Sequence, residues 1–368
     1  MFENFKLLVD GKNAFKEIIS CIDNSSQSIC INMFIWRDDA IGNEIAEHLL
    51  GAVNRGVKVF VSADKYGSIL EHTEESRTSF FHKKLNFSEK FQIGFLRLFY
   101  GFKESPKFTG DKVSELYKKL IKNENFTLEN NKVKKDHSKY YIFDDKIVIF
   151  GGVNVEDKEN GKDLRGMAYQ DYMVKITGES DVSYFKKAIS QNVAPLDYKI
   201  IVNNKSKKLF QIEDEMLKLI DESKEELLIY MAYFSPLKKF MKAIKRASER
   251  GVKIKIMISK SANLQDNLNK ATAKKLSKLA GVTIFVTDKM CHTKLMQSEI
   301  KTTFGSCNIN KKAFNCLDEL NIVVKRDDSE FSRELQESLN TELDGAKVLT
   351  TSQIKYNHFI ALLESLIA

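Results

Sequence analysis

The sequence of 368 residues is 43% hydrophobic and 29% charged, and its 58 basic and 50 acidic residues give a formal net charge of +8. Length and composition are those of a globular chain with room for two ordinary domains. No run approaches the roughly 18 apolar residues of a membrane-spanning helix, and the start MFENFKLLVD lacks the pattern of a signal peptide, so we expect a cytoplasmic protein. The positive excess suits an anionic partner, either phospholipid headgroups or nucleic acid.

The cysteines argue against a disulfide-stabilised protein and against a structural zinc site. There are five of them at irregular spacing, which argues against a disulfide framework. A zinc site drawing on Cys291, Cys307 and Cys316 lacks the C-x-x-C pair that such sites usually contain. Buried free thiols are therefore the favoured interpretation.

The predicted elements occur twice along the chain. Residues 18–36 read IISCIDNSSQSICINMFIW, and residues 216–234 read MLKLIDESKEELLIYMAYF. Each segment begins with an apolar helix end and an Ile-Asp pair, and continues through a polar turn into an apolar run typical of a buried strand. The chain therefore contains an internal duplication.

A helix and a second strand follow in each half. After the helix the two halves have nearly identical sequences, Arg55-Gly56-Val57-Lys58-Val59 and Arg250-Gly251-Val252-Lys253-Ile254. A glycine after a helix is a common stop because it adopts positive φ without strain. Strand, helix and strand predict βαβ units, largely parallel sheets and an α/β fold of two similar lobes about a pseudo-twofold axis. We expect the lobes to span residues 1–200 and 201–368, divided near the polar stretch NNKSKK.

The first half is longer than the second. Arg55 and His137 are 82 positions apart, whereas Arg250 and His292 are 42 apart, so an insert of about 40 residues lies within 66–135. It contains the aromatic stretch FQIGFLRLFYGFK at 91–103. This stretch fits either a segment lying on a membrane surface or a helix that packs on the lobe or covers the site.

The candidate catalytic residues recur at equivalent points of the repeat. Each half contains the pattern H-x-K, then an acidic residue, then a short glycine-containing motif that ends in asparagine. They are His137, Lys139, Asp144, Gly152 and Asn154 in the first half, and His292, Lys294, Glu299, Ser306 and Asn308 in the second.

The local geometry of this pattern suits an anionic substrate. Residues i and i+2 of a strand share a face, so each histidine projects beside its lysine. Asp144 and Asp145 predict a hairpin turn that returns Asn154 to the side of His137. Combined, the two clusters hold two imidazoles, two ammonium groups and two amides. One imidazole can attack phosphorus while the other protonates the leaving oxygen, and no metal or other cofactor is required.

This duplicated H-x-K-x4-D pattern with G-[GS]-x-N resembles the phospholipase D superfamily over about residues 12–325, and most closely the bacterial cardiolipin synthases. Further similarities are FIWRDD at 34–39, Asp64 with Gly67-Ser68, and Tyr233-Phe234-Ser235-Pro236. The resemblance implies a phosphatidyl-histidine intermediate, with phosphatidylglycerol as donor and acceptor. It also implies that an acidic residue orients each histidine, Asp171 in the first half and Glu319 in the second.

The second motif departs from the family pattern. Glu299 replaces the usual aspartate, and His292 lies 16 positions before Asn308, against 17 from His137 to Asn154. One residue is therefore missing from the turn. Although Asp144 and Glu299 belong to the catalytic motifs, we expect them to support the hairpins more than the chemistry. The C-terminal stretch HFIALLESLIA has helical periodicity and suits either a cap on the second lobe or entry into lipid.

The sequence thus predicts a phosphatidyltransferase of cardiolipin synthase type acting on anionic phospholipid at a membrane surface, on the inner face of the cell membrane. The alternatives are a phospholipase D hydrolase, a metal-independent nuclease or phosphodiesterase of the same superfamily, and a lipid-binding protein that has lost activity. The aromatic insert favours lipid over nucleic acid. No obligate protein partner is implied, because the chain already contains both halves.

Overall fold

The computed structural model describes residues 2–74, 78–82, 84–97, 114–163 and 165–368. The chain divides into an N-terminal unit, Asn4–Phe185, and a C-terminal unit, Lys186–Ala368 with Met1–Glu3. This division precedes the expected boundary near residue 200. The reason is that residues 198–204 already form a strand of the second sheet, and NNKSKK is the turn after that strand rather than a linker.

The N-terminal unit alternates strands and helices before its antiparallel hairpin, and its last helix crosses the division after Phe185. Its elements are β1 (Phe5–Val9), α1 (Asp10–Asn24), β2 (Ser28–Met33), α2 (Ala40–Asn54), β3 (Lys58–Ala63), α3 (Gly67–Glu71), α4 (Phe87–Arg97), α5 (Glu115–Lys122), β4 (Phe126–Glu129), β5 (Lys139–Phe143), β6 (Ile147–Gly151), α6 (Asp157–Asn160), β7 (Tyr169–Gln170), β8 (Tyr172–Thr177) and α7 (Glu179–Ala188).

The C-terminal unit repeats this order and adds strands and helices at its end. Its elements are β9 (Tyr198–Asn204), β10 (Leu209–Phe210), α8 (Ile212–Glu222), β11 (Glu226–Met231), β12 (Phe234–Ser235), α9 (Lys238–Glu249), β13 (Lys253–Ser259), α10 (Asp266–Leu276), β14 (Val282–Thr287), β15 (Met290–Cys291), β16 (Lys294–Ser298), β17 (Lys301–Gly305), β18 (Ile309–Asn310), α11 (Lys311–Cys316), β19 (Glu319–Lys325), α12 (Glu330–Asp344), β20 (Lys347–Leu349) and α13 (His358–Ile367).

The main sheets of the two units have corresponding strand orders. The first runs β1-β8-β6-β5-β2-β3-β4, and the second contains β9-β19-β17-β16-β11-β13-β14 with β10 and β20 at its edges. This correspondence confirms the duplication and the α/β class. The expectation of largely parallel sheets is wrong, because within the two main sheets, as far as the structure describes them, parallel pairing is confined to β2-β3-β4 and β11-β13-β14. The motif hairpins and the strands beside them add antiparallel pairs.

The repeated helix ends have the same structure in both units. Gly56 and Gly251 adopt positive φ, as their position after a helix predicts. The preceding arginines reach back to the earlier helix: Arg55 donates to the carbonyl oxygen of Ile22 at 2.9 Å, and Arg250 donates to that of Ile220 at 2.8 Å. The two copies therefore share long-range contacts as well as local sequence.

The insert lies between β3 and β4. Ala63 and Phe126 are 63 positions apart, whereas the corresponding Ser259 and Val282 are 23 apart. The part of the aromatic stretch that is described, 91–97, belongs to α4. This helix buries Ile93 and exposes Phe87, Phe91 and Phe95 on one face, so it both packs on the unit and presents aromatic surface. Residues 98–103 of the stretch lie outside the described residues.

Candidate active site

The first half-site is built around the start of β5. Lys139 is fully buried there, and its Nζ donates to the carbonyl oxygen of His137 at 2.6 Å. The same ammonium group lies 5.3 Å from the centroid of the Phe34 ring. That ring in turn meets the half-buried imidazole of His137 edge-on, with centroids 4.7 Å apart. Phe34 thus provides an apolar wall that both the imidazole and the lysine contact.

Two polar side chains hold the backbone that carries His137. Asp64 accepts hydrogen bonds from the backbone N–H groups of Lys134 and Asp136. Asn32 donates to the carbonyl oxygen of Ser138 and to the carboxylate of Asp136, both at 3.0 Å. Burial raises the pKa of Asp64 despite its amide donors. The segment around His137 is therefore fixed from both sides by residues distant in sequence.

The hairpin predicted at Asp144 and Asp145 forms, and it returns the glycine motif beside Lys139. Lys139 pairs with Gly151 across β5 and β6, and the buried Asn154 follows three residues later. Gly152 lies against the carboxylate of Asp171, since a Cβ atom at this position would be only 2.2 Å from Asp171 Oδ2. A glycine is needed here because any side chain would displace the acid.

The second half-site repeats the arrangement of lysine and histidine. Lys294 is buried at the start of β16 and donates to the carbonyl oxygen of His292, the same contact that Lys139 makes with His137. Its Nζ also lies 3.0 Å from Nδ1 of the buried His292 imidazole. The ammonium group therefore places positive charge directly against the ring.

The glycine motif of the second half is held by different bonds. Ser306 donates from Oγ to Glu319 at 2.5 Å and accepts from the backbone N–H of Leu320 at 2.9 Å. Asn308 accepts a hydrogen bond through Oδ1 from the backbone N–H of Tyr233 at 3.1 Å. This contact occupies the amide oxygen and fixes the orientation of the side chain, including its donor, Nδ2. Serine stands here where the first half has Gly152, and its hydroxyl binds the acid of this half.

The acidic residues Asp171 and Glu319 occupy equivalent register positions. Asp171 lies two residues before the partner of Gly151, and Glu319 lies two residues before the partner of Gly305. Each carboxylate contacts the residue after that glycine, Gly152 or Ser306. The assignment of Asp171 as the counterpart of Glu319 is therefore supported by the sheet as well as by the sequence.

Asp144 and Glu299 lie at the hairpin turns. Asp144 accepts backbone N–H bonds from residues 26, 27 and 28, each at 2.8 Å. Glu299 accepts from residues 224, 225 and 226 at 2.8, 3.5 and 3.3 Å. Asp144 is seven positions from His137 along an extended strand, about 20 Å. These contacts agree with the expectation that both acids support the hairpins more than the chemistry.

The missing residue of the second motif also lies at this turn. Residues 144–146 connect β5 to β6, whereas only Glu299 and Ile300 connect β16 to β17. Glutamate is one methylene longer than aspartate, so its carboxylate still reaches the equivalent backbone amides from the shorter turn. The departure from the family pattern is therefore compensated locally.

Changing Asp144 to Asn is expected to lower the free energy of unfolding at pH 7 by about 1–2 kcal/mol, because an amide accepts the three N–H bonds less strongly. Burial raises the pKa of Asp144, but the amide donors outweigh it and leave the pKa below its usual range. The stabilisation is therefore present above the unfolded pKa of about 3.9 and disappears as pH falls through the folded value. Urea unfolding at pH 7 and pH 3 measures it, with Asp197→Asn, at an exposed position, as the control. A deficit as large at pH 3 as at pH 7 would contradict this account.

Two of the three cysteines in and around the second motif pack within the unit. Burial raises the pKa of the Cys307 thiol well above its ordinary value, and Glu319 raises it further, so the thiol stays protonated. Cys291 is also buried, but Cys316 is exposed, so the expectation of buried thiols is wrong for Cys316. Among the residues described, no group of three or more His, Cys, Asp or Glu side chains is arranged to hold a metal ion.

Comparison with known proteins identifies the family. Residues 18–192 and 216–343 match the family described as "Cardiolipin synthase, PLD-like domain", which covers more than half of the chain in two segments. The chain belongs to the phospholipase D superfamily. This superfamily enzyme is 23% identical to cardiolipin synthase B of Escherichia coli (strain K12) over an alignment of 361 positions, which covers 91% of this chain and 79% of that protein. It is 24% identical to the cardiolipin synthase of Clostridium perfringens (strain SM101 / Type A) over an alignment of 348 positions, which covers 86% of this chain and 66% of that protein.

Solved structures support the same fold. The phosphatidylserine synthase of Haemophilus influenzae Rd KW20 aligns with a TM-score of 0.70 at 13% identity, covering 99% of this enzyme and 92% of that chain. The polyphosphate kinase of Porphyromonas gingivalis aligns with a TM-score of 0.53 at 12% identity, covering 96% and 50%. Because these named activities differ, the fold alone does not select the substrate of this phospholipase D superfamily enzyme.

Sequence reasoning missed the buried ion network beside the first half-site of the enzyme. The guanidinium of Arg37 pairs with Glu156 at 2.6 Å and Glu74 at 3.1 Å, and Lys158 pairs with the same two carboxylates. The backbone of Arg37 also donates to the carbonyl oxygen of Val155 at 2.9 Å, next to Asn154. The motif FIWRDD was the available signal, but nothing local in it shows which acids Arg37 meets.

Proposed function

We propose that this enzyme transfers the phosphatidyl group of phosphatidylglycerol, or a related phospholipid, to an alcohol through a covalent phosphohistidine. With a second phosphatidylglycerol as the acceptor, the products are cardiolipin and glycerol. The observation that carries the proposal is the repeated half-site. In each unit a buried lysine binds the carbonyl oxygen of a histidine, and a buried acid lies against the glycine motif. Relatives named cardiolipin synthase support the lipid substrate.

The proposed first step breaks the ester bond between phosphorus and the headgroup glycerol. An imidazole nitrogen attacks phosphorus, and the second imidazole donates a proton to the departing glycerol oxygen. The family pattern favours His137 as the nucleophile and His292 as the acid. Lys139 and Lys294 neutralise charge that develops on the non-bridging oxygens, and Asn154 and Asn308 donate hydrogen bonds to them.

The proposed second step releases the histidine. The hydroxyl group of the acceptor attacks phosphorus, its proton passes to the neutral imidazole of His292, and the bond between phosphorus and His137 breaks. Asp171 and Glu319 are proposed to hold the imidazoles in the required tautomer. Water in place of the alcohol would give phosphatidic acid, so the acceptor alone separates a transferase from a hydrolase.

The proposed partner is anionic phospholipid at a membrane surface, on the cytoplasmic face. In the part of the chain that the structure describes, no helix has the length and apolar character to cross a bilayer. The exposed aromatic face of α4, with Phe87, Phe91 and Phe95, supports contact with a lipid surface.

Incubation of the purified enzyme with phosphatidylglycerol labelled in the headgroup and in the acyl chains tests the proposal. We expect labelled glycerol to be released and label from both positions to appear in cardiolipin. Phosphatidic acid as the sole lipid product would assign the hydrolase alternative. If neither product forms but bis(p-nitrophenyl) phosphate or DNA is cleaved, the enzyme is a general phosphodiesterase and the proposed lipid activity is wrong.

A further inference from the structure

The C-terminal helix α13 presents an apolar face to solvent. Phe359, Leu362 and Leu366 follow helical spacing and are 68%, 61% and 77% exposed. The opposite face buries Ala361 and Glu364 against α10. The helix therefore caps the unit, as one interpretation of the sequence expected, but its orientation is the reverse of an ordinary surface helix.

A specific contact fixes this orientation. Glu364 accepts a hydrogen bond from the backbone N–H of Leu268 at 2.7 Å, in the first turn of α10, where an unpaired amide favours a carboxylate. Asn357 accepts from the backbone N–H groups of Phe359 and Ile360 and begins the helix. Turning the leucines inward would break the bond of Glu364, so the exposed apolar face is a built feature of the fold.

Lysines lie close to the segment that precedes this helix. Lys274 of α10 lies over the ring of Tyr356, with Nζ 5.9 Å from the centroid, two residues before α13 begins. Lys270 and Lys355 line a groove of about 260 Å³ that reaches Ile354 and Leu349. The remaining members of its lining are Ile258, Lys260, Ile284, Val286, Asp288, Lys347 and Gln353. The lysines at positions 260, 270, 347 and 355 thus line a mainly aliphatic groove that includes the residues just before α13 in the chain.

We propose that α13 and these lysines form a docking surface through which the C-terminal unit binds an anionic lipid bilayer. The ten-residue helix is about 15 Å long, half the thickness of the hydrocarbon core, so it lies in the interface with its apolar face towards the acyl chains. The lysines contact anionic headgroups at the same level. This inference stands independently of the acceptor alcohol and of the chemistry at the histidines.

Charge favours the bilayer over a second copy of the chain. In a twofold dimer through this face, each lysine cluster would meet the same cluster of its partner. Asp266 and Asp288 pair with Lys270, Lys260 and Lys347 within the unit and leave the surface with a cationic excess. Like charges across an interface oppose association, whereas anionic headgroups neutralise them.

Binding to vesicles tests the proposal through two matched pairs of variants. Phe359→Ser/Leu366→Ser removes apolar surface, and Phe210→Ser, exposed on β10 of the same unit, is its control. Lys270→Gln/Lys274→Gln removes charge, and Lys245→Gln on α9 is its control. Sedimentation with phosphatidylglycerol vesicles should show affinity reduced about tenfold or more by each double variant, with both controls unchanged. The lysine variant should have no effect on the weaker binding to phosphatidylcholine vesicles.

Activity on detergent-dispersed phosphatidylglycerol separates this surface from the active site. We expect both double variants to retain wild-type turnover there, because neither touches a half-site residue. Unchanged vesicle affinity in both double variants would overturn the proposal, whether or not the enzyme makes cardiolipin. A wild-type dimer that Phe359→Ser/Leu366→Ser converts to monomer in light scattering, with vesicle binding intact, would assign the face to self-association and overturn it equally.

Discussion

Replacement of His137 or His292 by alanine is expected to abolish transfer. Loss of the nucleophile removes the covalent route altogether, and we expect turnover to fall by at least about 10⁴-fold. Loss of the general acid leaves a poor leaving group unprotonated, which costs about 10²–10⁴-fold. The two substitutions act on one pathway, so the double variant should be no slower than the slower single variant.

Trapping the intermediate distinguishes the roles of the two histidines. After rapid quenching with acyl-labelled phosphatidylglycerol, the wild-type chain should retain label in a form that acid releases more readily than base. His137→Ala should retain none. His292→Ala should still accumulate label with a substrate whose leaving group needs no proton, such as a p-nitrophenyl phosphodiester of the same lipid.

A matched control separates chemistry from folding. His48 is a partly exposed histidine on α2 whose ring lies 2.6 Å from Asp23, away from the duplicated motifs, and His48→Ala should keep full turnover. Label retained by His137→Ala and lost by His292→Ala would reverse the assignment of nucleophile and acid. Full turnover in either single variant would remove that histidine from the mechanism.

The duplication made much of the architecture predictable. The turn at Asp144 and Asp145, where both residues adopt positive φ, follows from local turn chemistry. The positive φ of Gly56 and Gly251 follows from their place after a helix. Such features depend on a few adjacent residues, and the same pattern in both halves of the chain gives two independent indications of each feature.

The rest depends on contacts that no local pattern encodes. Arg37 meets Glu156 across 119 positions of sequence, and Asn32 meets Ser138 across 106. The antiparallel share of the sheets was underestimated because the βαβ pattern is conspicuous, whereas the pairing of β1 with β8 joins opposite ends of the N-terminal unit. The division after Phe185 lies before the predicted boundary near residue 200 for a related reason: a polar hairpin turn and a linker have the same composition.

Arg37→Leu is expected to lower the free energy of unfolding of the N-terminal unit by about 3–5 kcal/mol, because removing one partner of a buried ion pair leaves carboxylates without compensation. Glu74 and Glu156 are buried and would retain only Lys158 as a cationic partner among the contacts described. Urea or thermal unfolding measures the loss. The control is Arg246→Leu, whose pairing with Asp221 is half exposed and should contribute no more than about 1 kcal/mol.

A compensating variant shows whether the network acts through charge. Arg37→Leu/Glu156→Leu removes one charge of each sign and should recover part of the lost stability, since apolar replacement of a buried pair is often near neutral. Because the backbone of Arg37 binds Val155 beside Asn154, and Phe34, three residues earlier in the chain, contacts His137, turnover should recover along with the fold. Stability that recovers while turnover stays at the level of Arg37→Leu would give Glu156 a role in the site beyond pairing with Arg37. A single variant within 1 kcal/mol of wild type would contradict the burial cost on which the network argument depends.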